Sequence, residues 1–328
     1  MRPVVRCLVA VSSALFCLSL TACKYRSKDQ TYYLVAANQK LPYWKSVQEG
    51  FTAAAAQYGV TPRVVGPDGY DPAAEETALA NAISTHPAGI LISAADATNL
   101  QGDINSAITA GIPVITVDSD APNSDRLYFI GTDNLEVGHL GGHRVVERLN
   151  GKGNVVFFSI PGQPNIDERL KGYEEILSAA PGIKILDVVA TRGESGSAFD
   201  KAESLALATG PNKVDAFICL ESASGKEVAE VLKRSNPNKA IIIAMDVDPD
   251  TLNLIKSGAI DSTVSQKPWS MGYVGLKQLD EAFRSHKGAF RTNYSVDFRS
   301  PYPAFVNTGS ALITQDNVAV YNYHPDDE

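Results

Sequence analysis

Residues 111–120 read GIPVITVDSD. A Gly-Ile-Pro turn enters Val114-Ile115-Thr116-Val117, which offers no wet face, and the run ends on two acids, Asp118 and Asp120. Unbroken apolar runs are the mark of parallel strands covered by helices on both faces of a sheet. In open parallel sheets, ligands collect beyond the carboxyl ends of the strands. The stretch therefore predicts a buried strand that delivers Asp118 to the mouth of a cleft, where it grips a polar ligand.

The same logic extends along the chain. Short β-branched runs are expected as strands at 32–37, 60–65, 88–93, 113–117, 127–130, 154–160, 183–190, 214–220, 240–246 and 260–265. Helical periodicity fills the intervals near 43–58, 72–85, 98–110, 134–150, 166–180, 197–209, 222–235, 249–257 and 269–286. Such alternation predicts an α/β fold with parallel sheets and right-handed crossovers. Phe129-Ile130-Gly131-Thr132-Asp133-Asn134 is a natural break, with Asn134 able to cap the next helix. The expected architecture is two doubly wound, Rossmann-like lobes. The Pro-containing tail 300–328 offers short strand-like pieces and turns.

The chain has 328 residues, enough for two domains. Its 44% hydrophobic and 20% charged content is that of a soluble globular protein. The formal net charge of −8 argues against nucleic acid, which calls for a basic face. Arg2 and Arg6 precede an apolar run from Cys7 to Leu20, which is followed by Leu20-Thr21-Ala22-Cys23. This is the layout of a secretory signal, and its core is too short for an easy membrane span. The Leu-Thr-Ala-Cys ending resembles a bacterial lipobox, in which Cys23 becomes the lipidated first residue. Residues 1–22 are then the signal and 23–31 a tether to the membrane surface. The remaining chain carries 27 basic and 37 acidic residues, a net charge of −10. Only Cys219 is left beside the lipidated Cys23, so no intramolecular disulfide is expected.

Enzyme signatures are missing. The nearest approach to a nucleophile elbow is Gly193-Glu194-Ser195-Gly196-Ser197, which ends in the wrong residue. Gly225-Lys226 lacks the rest of a phosphate-binding loop, and no Gly-x-Gly-x-x-Gly follows the first strand. Paired carboxylates could hydrolyse a glycoside, but only with one raised pKa and a held water. His139 and His143 share a helix face without the acid of a zinc motif, so they read as a solvated or packed face. No catalytic residue, cofactor or metal is expected.

Five segments, GIPVITVDSD, FIGTDN, DERLKGY, AMDVDP and STVSQKP, occur in an order and spacing that resembles the ribose-binding-protein group of periplasmic sugar-binding proteins. That group is related to the ligand-binding core of lac-repressor-type regulators. Here a lipobox stands where a helix-turn-helix would be. The resemblance covers residues 32–320. It implies two lobes joined by three crossovers, placed near Gly131–Asn134, Val264–Lys267 and Arg291–Ser295. The lobes would be 31–132 plus 266–291 and 133–265 plus 292–328. It also implies hinge closure on a monosaccharide-like or polyol ligand. The loaded protein, a monomer, would then dock on an ABC permease in the membrane. A sensory protein that hands its closed lobes to a membrane receptor is the alternative.

The resemblance also implies site residues. Tyr43 and Trp44 match an aromatic pair after the first strand, suited to the C–H faces of a sugar ring. Asp118, Asp246 and Gln266 match directly. Ser119 stands where the family often has Arg, Asp167 where the ribose binder has Arg, and Glu221 where Asn is common. Arg169 fits the more structural arginine of Arg-x-x-Gly-aromatic, and Arg192 is a further candidate. Asp118, Asp167, Glu221 and Asp246 in one cleft would repel and raise one another's pKa. Lys40, Arg192, Lys267, a ligand amino group or a metal could supply the balance.

Overall fold

The computed structural model describes residues 26–286, 290–291, 294 and 296–322; Cys23 and the signal segment lie outside them. The first sheet is built from β1 (Thr31–Val35), β2 (Thr61–Val65), β3 (Gly89–Ile92), β4 (Val114–Val117) and β5 (Phe129–Gly131). Helices α1 (Pro42–Tyr58), α2 (Pro72–Ser84) and α3 (Ala97–Thr109) alternate with its first four strands. After β5 comes α4 (Asn134–Arg148), and then the second series. That series holds β6 (Lys152–Ser159), α5 (Pro164–Ser178), β7 (Gly182–Ala190), α6 (Ser195–Ala206) and β8 (Ala216–Cys219). It continues with α7 (Ser224–Arg234), β9 (Ile241–Met245), α8 (Pro249–Lys256), β10 (Ser262–Ser265) and α9 (Pro268–Ser285). The tail adds β11 (Phe305–Asn307) and β12 (Ala311–Thr314).

Strand order is β11-β5-β4-β3-β1-β2 in one sheet and β12-β10-β9-β8-β6-β7 in the other, so the two lobes share one strand order and differ in the direction of the last strand. All residues of β3 and β4 are buried, as double coverage by helices requires. Pro62 sits in β2, an edge strand, where a missing donor costs nothing. Each lobe also locks one helix pair by backbone contact. A Cβ on Gly272 of α9 would strike the Val47 carbonyl of α1, and one on Gly172 of α5 would strike the Leu135 carbonyl of α4.

Two expectations need correcting. The α4 cap is Asp133, whose side chain accepts from the Glu136 N–H, whereas Asn134 is the first helical residue. The third crossover does not lie near Arg291–Ser295, and Tyr294, Tyr302 and Phe305–Asn307 do not belong to the second lobe. Phe290 and Tyr294 are buried in the first core. Tyr302 stacks on Tyr128, and Phe305 stacks on Phe129 with ring centroids 5.1 Å apart. Strand β11 pairs in parallel with β5, and β12 pairs antiparallel with β10. The chain therefore leaves the first sheet only at 308–310. Aromatic stacking on the first lobe holds the segment there, a preference that strand periodicity does not encode.

Candidate functional site

Asp118 and Asp246 occupy equivalent places in the two lobes, directly after β4 and β9. Both are left-handed, with φ of 64° and 70°. Each donates its backbone N–H to the neighbouring strand, Asp118 to Ile130 O and Asp246 to Val264 O, both at 3.0 Å. A non-glycine residue held in this region is strained, and such strain gathers at ligand clamps. The rival role of helix cap falls away. No helix follows Asp118 before β5, and α8, which follows Asp246, is capped by Asp248.

Both carboxylates line one cleft. From the first lobe come Tyr43 and Trp44 of α1, packed edge-to-face at 5.6 Å between centroids. Pro42 fixes the first turn of α1, so both rings are set by the helix start. Tyr43 Oη donates to Asp118 Oδ1 at 2.7 Å. From the second lobe, Asn165 Nδ2 donates to Asp118 Oδ2 at 3.1 Å and spans the cleft. Asn165 Oδ1 is buried and has no protein partner. An acceptor left so in a cleft wall is ready for a ligand hydroxyl.

Arg169 is the central cation. Its Nε donates to Asn134 Oδ1 (2.9 Å), Nη1 to Leu220 O (2.8 Å) and Nη2 to Gln266 Oε1 (3.1 Å). Gln266 also accepts from Thr132 Oγ1 at 2.9 Å and donates to Asp246 Oδ1 at 2.9 Å. One guanidinium thus ties together the two crossovers, 132–134 and 266–267. Burial pushes the Asp246 carboxyl up to about 7, against the pull of Arg169. Asp118 is raised by the same cause, with Arg169 and the Tyr43 hydrogen bond opposing.

Seven of the nine expected residues line the cleft: Tyr43, Trp44, Asp118, Arg169, Glu221, Asp246 and Gln266. Asp167 does not. Its carboxylate turns back to accept the Gly162 N–H at 3.0 and 3.2 Å. Arg192 is exposed at a left-handed turn, and its neighbour Gly193 lines the cleft instead. Glu221 borders the cleft, yet its oxygens are engaged by the Ala223 N–H (2.5 Å), the Ser224 N–H (3.2 Å) and the Ser224 hydroxyl. The predicted crowd of four carboxylates is therefore smaller, and Arg169 supplies the counter-charge. Lys40 pairs with Asp68 at the surface (2.8 Å), and Lys267 is exposed.

Sequence reading missed Asn165, Gln163 and Tyr70, which also line the cleft. Pro164 at the start of α5 was the available signal, because it places Asn165 in the first turn at a strand's carboxyl end. His139 meets Glu136 and Glu175, and no cluster of metal-ligating side chains occurs among the described residues. No described helix is long and apolar enough to cross a membrane.

Two lobes of one strand order, with a polar, aromatic-walled cleft between their strand ends, define a two-lobed ligand-binding protein. The chain belongs to the periplasmic binding protein domain family, whose domain matches residues 32–287. It is 25% identical to the xylose/arabinose-binding protein XylF of Sulfolobus acidocaldarius, over 73% of this chain but only 60% of that relative's length. It is 24% identical to the ribose import binding protein RbsB of Haemophilus influenzae, over 85% of this chain and 94% of the relative. A solute-binding protein of an ABC transporter from Burkholderia graminis, solved with D-arabinose, superposes with a TM-score of 0.80. It shares 26% identity, with 90% of this chain and 98% of that one covered. The family is one of binding proteins rather than enzymes.

Proposed function

We propose that the chain captures a monosaccharide-like ligand between its lobes and delivers it to an ABC permease. Asp118 and Asp246 accept hydroxyl donors from opposite walls. Charge-assisted bonds of this kind are the strong ones. Tyr43 and Trp44 pack against the ring, and Asn165, Arg169 and Gln266 complete the polar set. The observation that carries the reading is the pair of buried, left-handed aspartates at equivalent strand ends, facing one cleft. A neutral polyol suits this set, since the walls present more acceptors than cations. The protein works as a monomer, held to the membrane by a lipid on Cys23.

A thermal-shift screen against pentoses, hexoses, sugar alcohols and amino sugars tests this. A ligand at 100 times its dissociation constant adds about 2.7 kcal/mol of stability. At least one neutral sugar or polyol should raise the melting temperature without being converted. A panel without any hit, or one in which only acidic ligands bind, would overturn the proposal.

A further inference from the structure

Tyr70 stands in the loop between β2 and α2 and lines the cleft. Its half-buried ring packs against the hydrophobic core of the first lobe. It also packs against a core cluster of the second lobe, one that includes Ile160 and Ile166. Among the described residues, it is the one apolar side chain that cores of both lobes share. Its Oη donates to Ala95 O at 3.4 Å, near the limit for such a bond, so the ring rather than the hydroxyl seats it. Opposite lies Gly193, left-handed with φ of 66°. A Cβ on Gly193 would sit 3.9 Å from Tyr70 Cβ and 3.3 Å from Ile160 Cδ1, so the two lobes meet closely here.

The strand order gives this contact its meaning. The chain crosses between lobes after β5, after β10 and between β11 and β12, and these strands stand at one end of each sheet. Tyr70 follows β2 and Gly193 follows β7, the strands at the opposite end of each sheet. When two lobes turn about their crossovers, the points farthest from the crossovers separate most. We propose that Tyr70 is the gate of the cleft. A ligand enters and leaves past its ring, and the seat of that ring on the second lobe holds the closed state and sets how long the ligand stays. The inference rests on the sugar-binding reading of the same cleft.

Trp44 reports the state of the cleft, being 3% exposed while the lobes are together. The one other tryptophan in the sequence, Trp269, is at the surface, so W269F leaves Trp44 as the sole fluorophore. In the full W269F chain without sugar, acrylamide should quench Trp44 severalfold more in Y70A than with Tyr70 in place. Y70F keeps the ring and should quench as the parent does. Stopped-flow mixing with D-ribose, D-xylose and D-arabinose, read at Trp44, should show severalfold faster dissociation in Y70A. A second variant approaches the contact from both lobes. In Y70C/G193C the Cβ separation of 3.9 Å suits a disulfide, and the native Cys219 is buried. Oxidised, this variant should cross-link, protect Trp44 from acrylamide and stop sugar exchange, and reduction should restore exchange. No cross-link, equal quenching in Y70A and parent, or an unchanged dissociation rate overturns the gate. If the cross-link forms and Y70A quenches more, yet none of the three pentoses alters Trp44, the gate stands and pentose binding is what fails.

Discussion

Asn165, in the first turn of α5, reaches across the cleft to Asp118 at the end of β4, with 3.1 Å between Nδ2 and Oδ2. The bond joins the two lobes through a buried carboxylate, and the remaining oxygen of the amide has no protein partner. Closure and ligand recognition thus meet in one side chain. Hydrogen bonds to charged groups contribute about 1.5–3 kcal/mol. Asn165→Ala should weaken sugar binding by roughly 10- to 100-fold, and it should lower the melting temperature of the ligand-free protein modestly, since Asp118 loses a bond made there too. Titration calorimetry on both proteins checks this, and an unaltered affinity would remove Asn165 from the site.

Asp118→Ala and Asp246→Ala should each abolish the ligand-induced melting shift. Neither should unfold the protein, because both carboxylates are raised by burial and so oppose folding when ionised. Asp118→Asn and Asp246→Asn should melt at or above the parent temperature at pH 8 while binding poorly, the usual exchange of function for stability. Differential scanning fluorimetry with and without sugar separates the two effects. A substitution that retained full affinity would show that its aspartate faces the cleft without holding the ligand.

The fold was legible because the strands are apolar on both faces and their spacing is that of β/α units. Val114–Val117 and Ile241–Met245 announce themselves without knowledge of any neighbour. Asp118 and Asp246 were legible for the same reason, since a carboxylate directly after a buried strand has few places to go. Asp167 was not, because a helix start offers the nearby Gly162 N–H as a rival partner, and local geometry decides between them. Neither was the return of Phe305 to Phe129, which depends on two aromatic faces meeting across 176 positions of chain.

Glu75 should make the ligand-free protein less stable as pH rises. Its side chain is fully buried, with Oε2 accepting the Ala95 N–H at 2.9 Å and Oε1 without a partner. Burial first, and then the nearby Asp118 and Asp96, push its pKa up to about 8, against the help of the Ala95 bond. A carboxyl with a raised folded pKa keeps its proton in the native state after the unfolded chain has lost it. Its contribution is complete below about 4.5 and is lost as pH climbs through 8. Glu75→Gln, which cannot ionise, should match the parent near pH 5 and melt higher at pH 8.5. Parallel slopes of melting temperature against pH for the two proteins would refute this.

Gly172→Ala should loosen the site from behind. A Cβ there would collide with the Leu135 carbonyl and the backbone of Gly138, so α5 must move off α4. Arg169 sits one turn earlier on α5 and must reach Asn134, Leu220 and Gln266 at once. A shift of the helix lengthens all three bonds together and frees the crossovers they join. Overpacking of this kind costs about 1–3 kcal/mol. Gly272→Ala, at the equivalent α9–α1 contact in the first lobe, should cost a similar amount, since its Cβ meets the Val47 carbonyl. The two variants should differ in binding, because α5 carries Arg169 with its three bonds, whereas α9 meets the site through the contact of Met271 with the Tyr43 hydroxyl. Urea denaturation paired with sugar titration distinguishes them. Comparable loss of stability with a larger loss of affinity in Gly172→Ala is expected, whereas equal loss of affinity would deny Arg169 its part in holding the cleft.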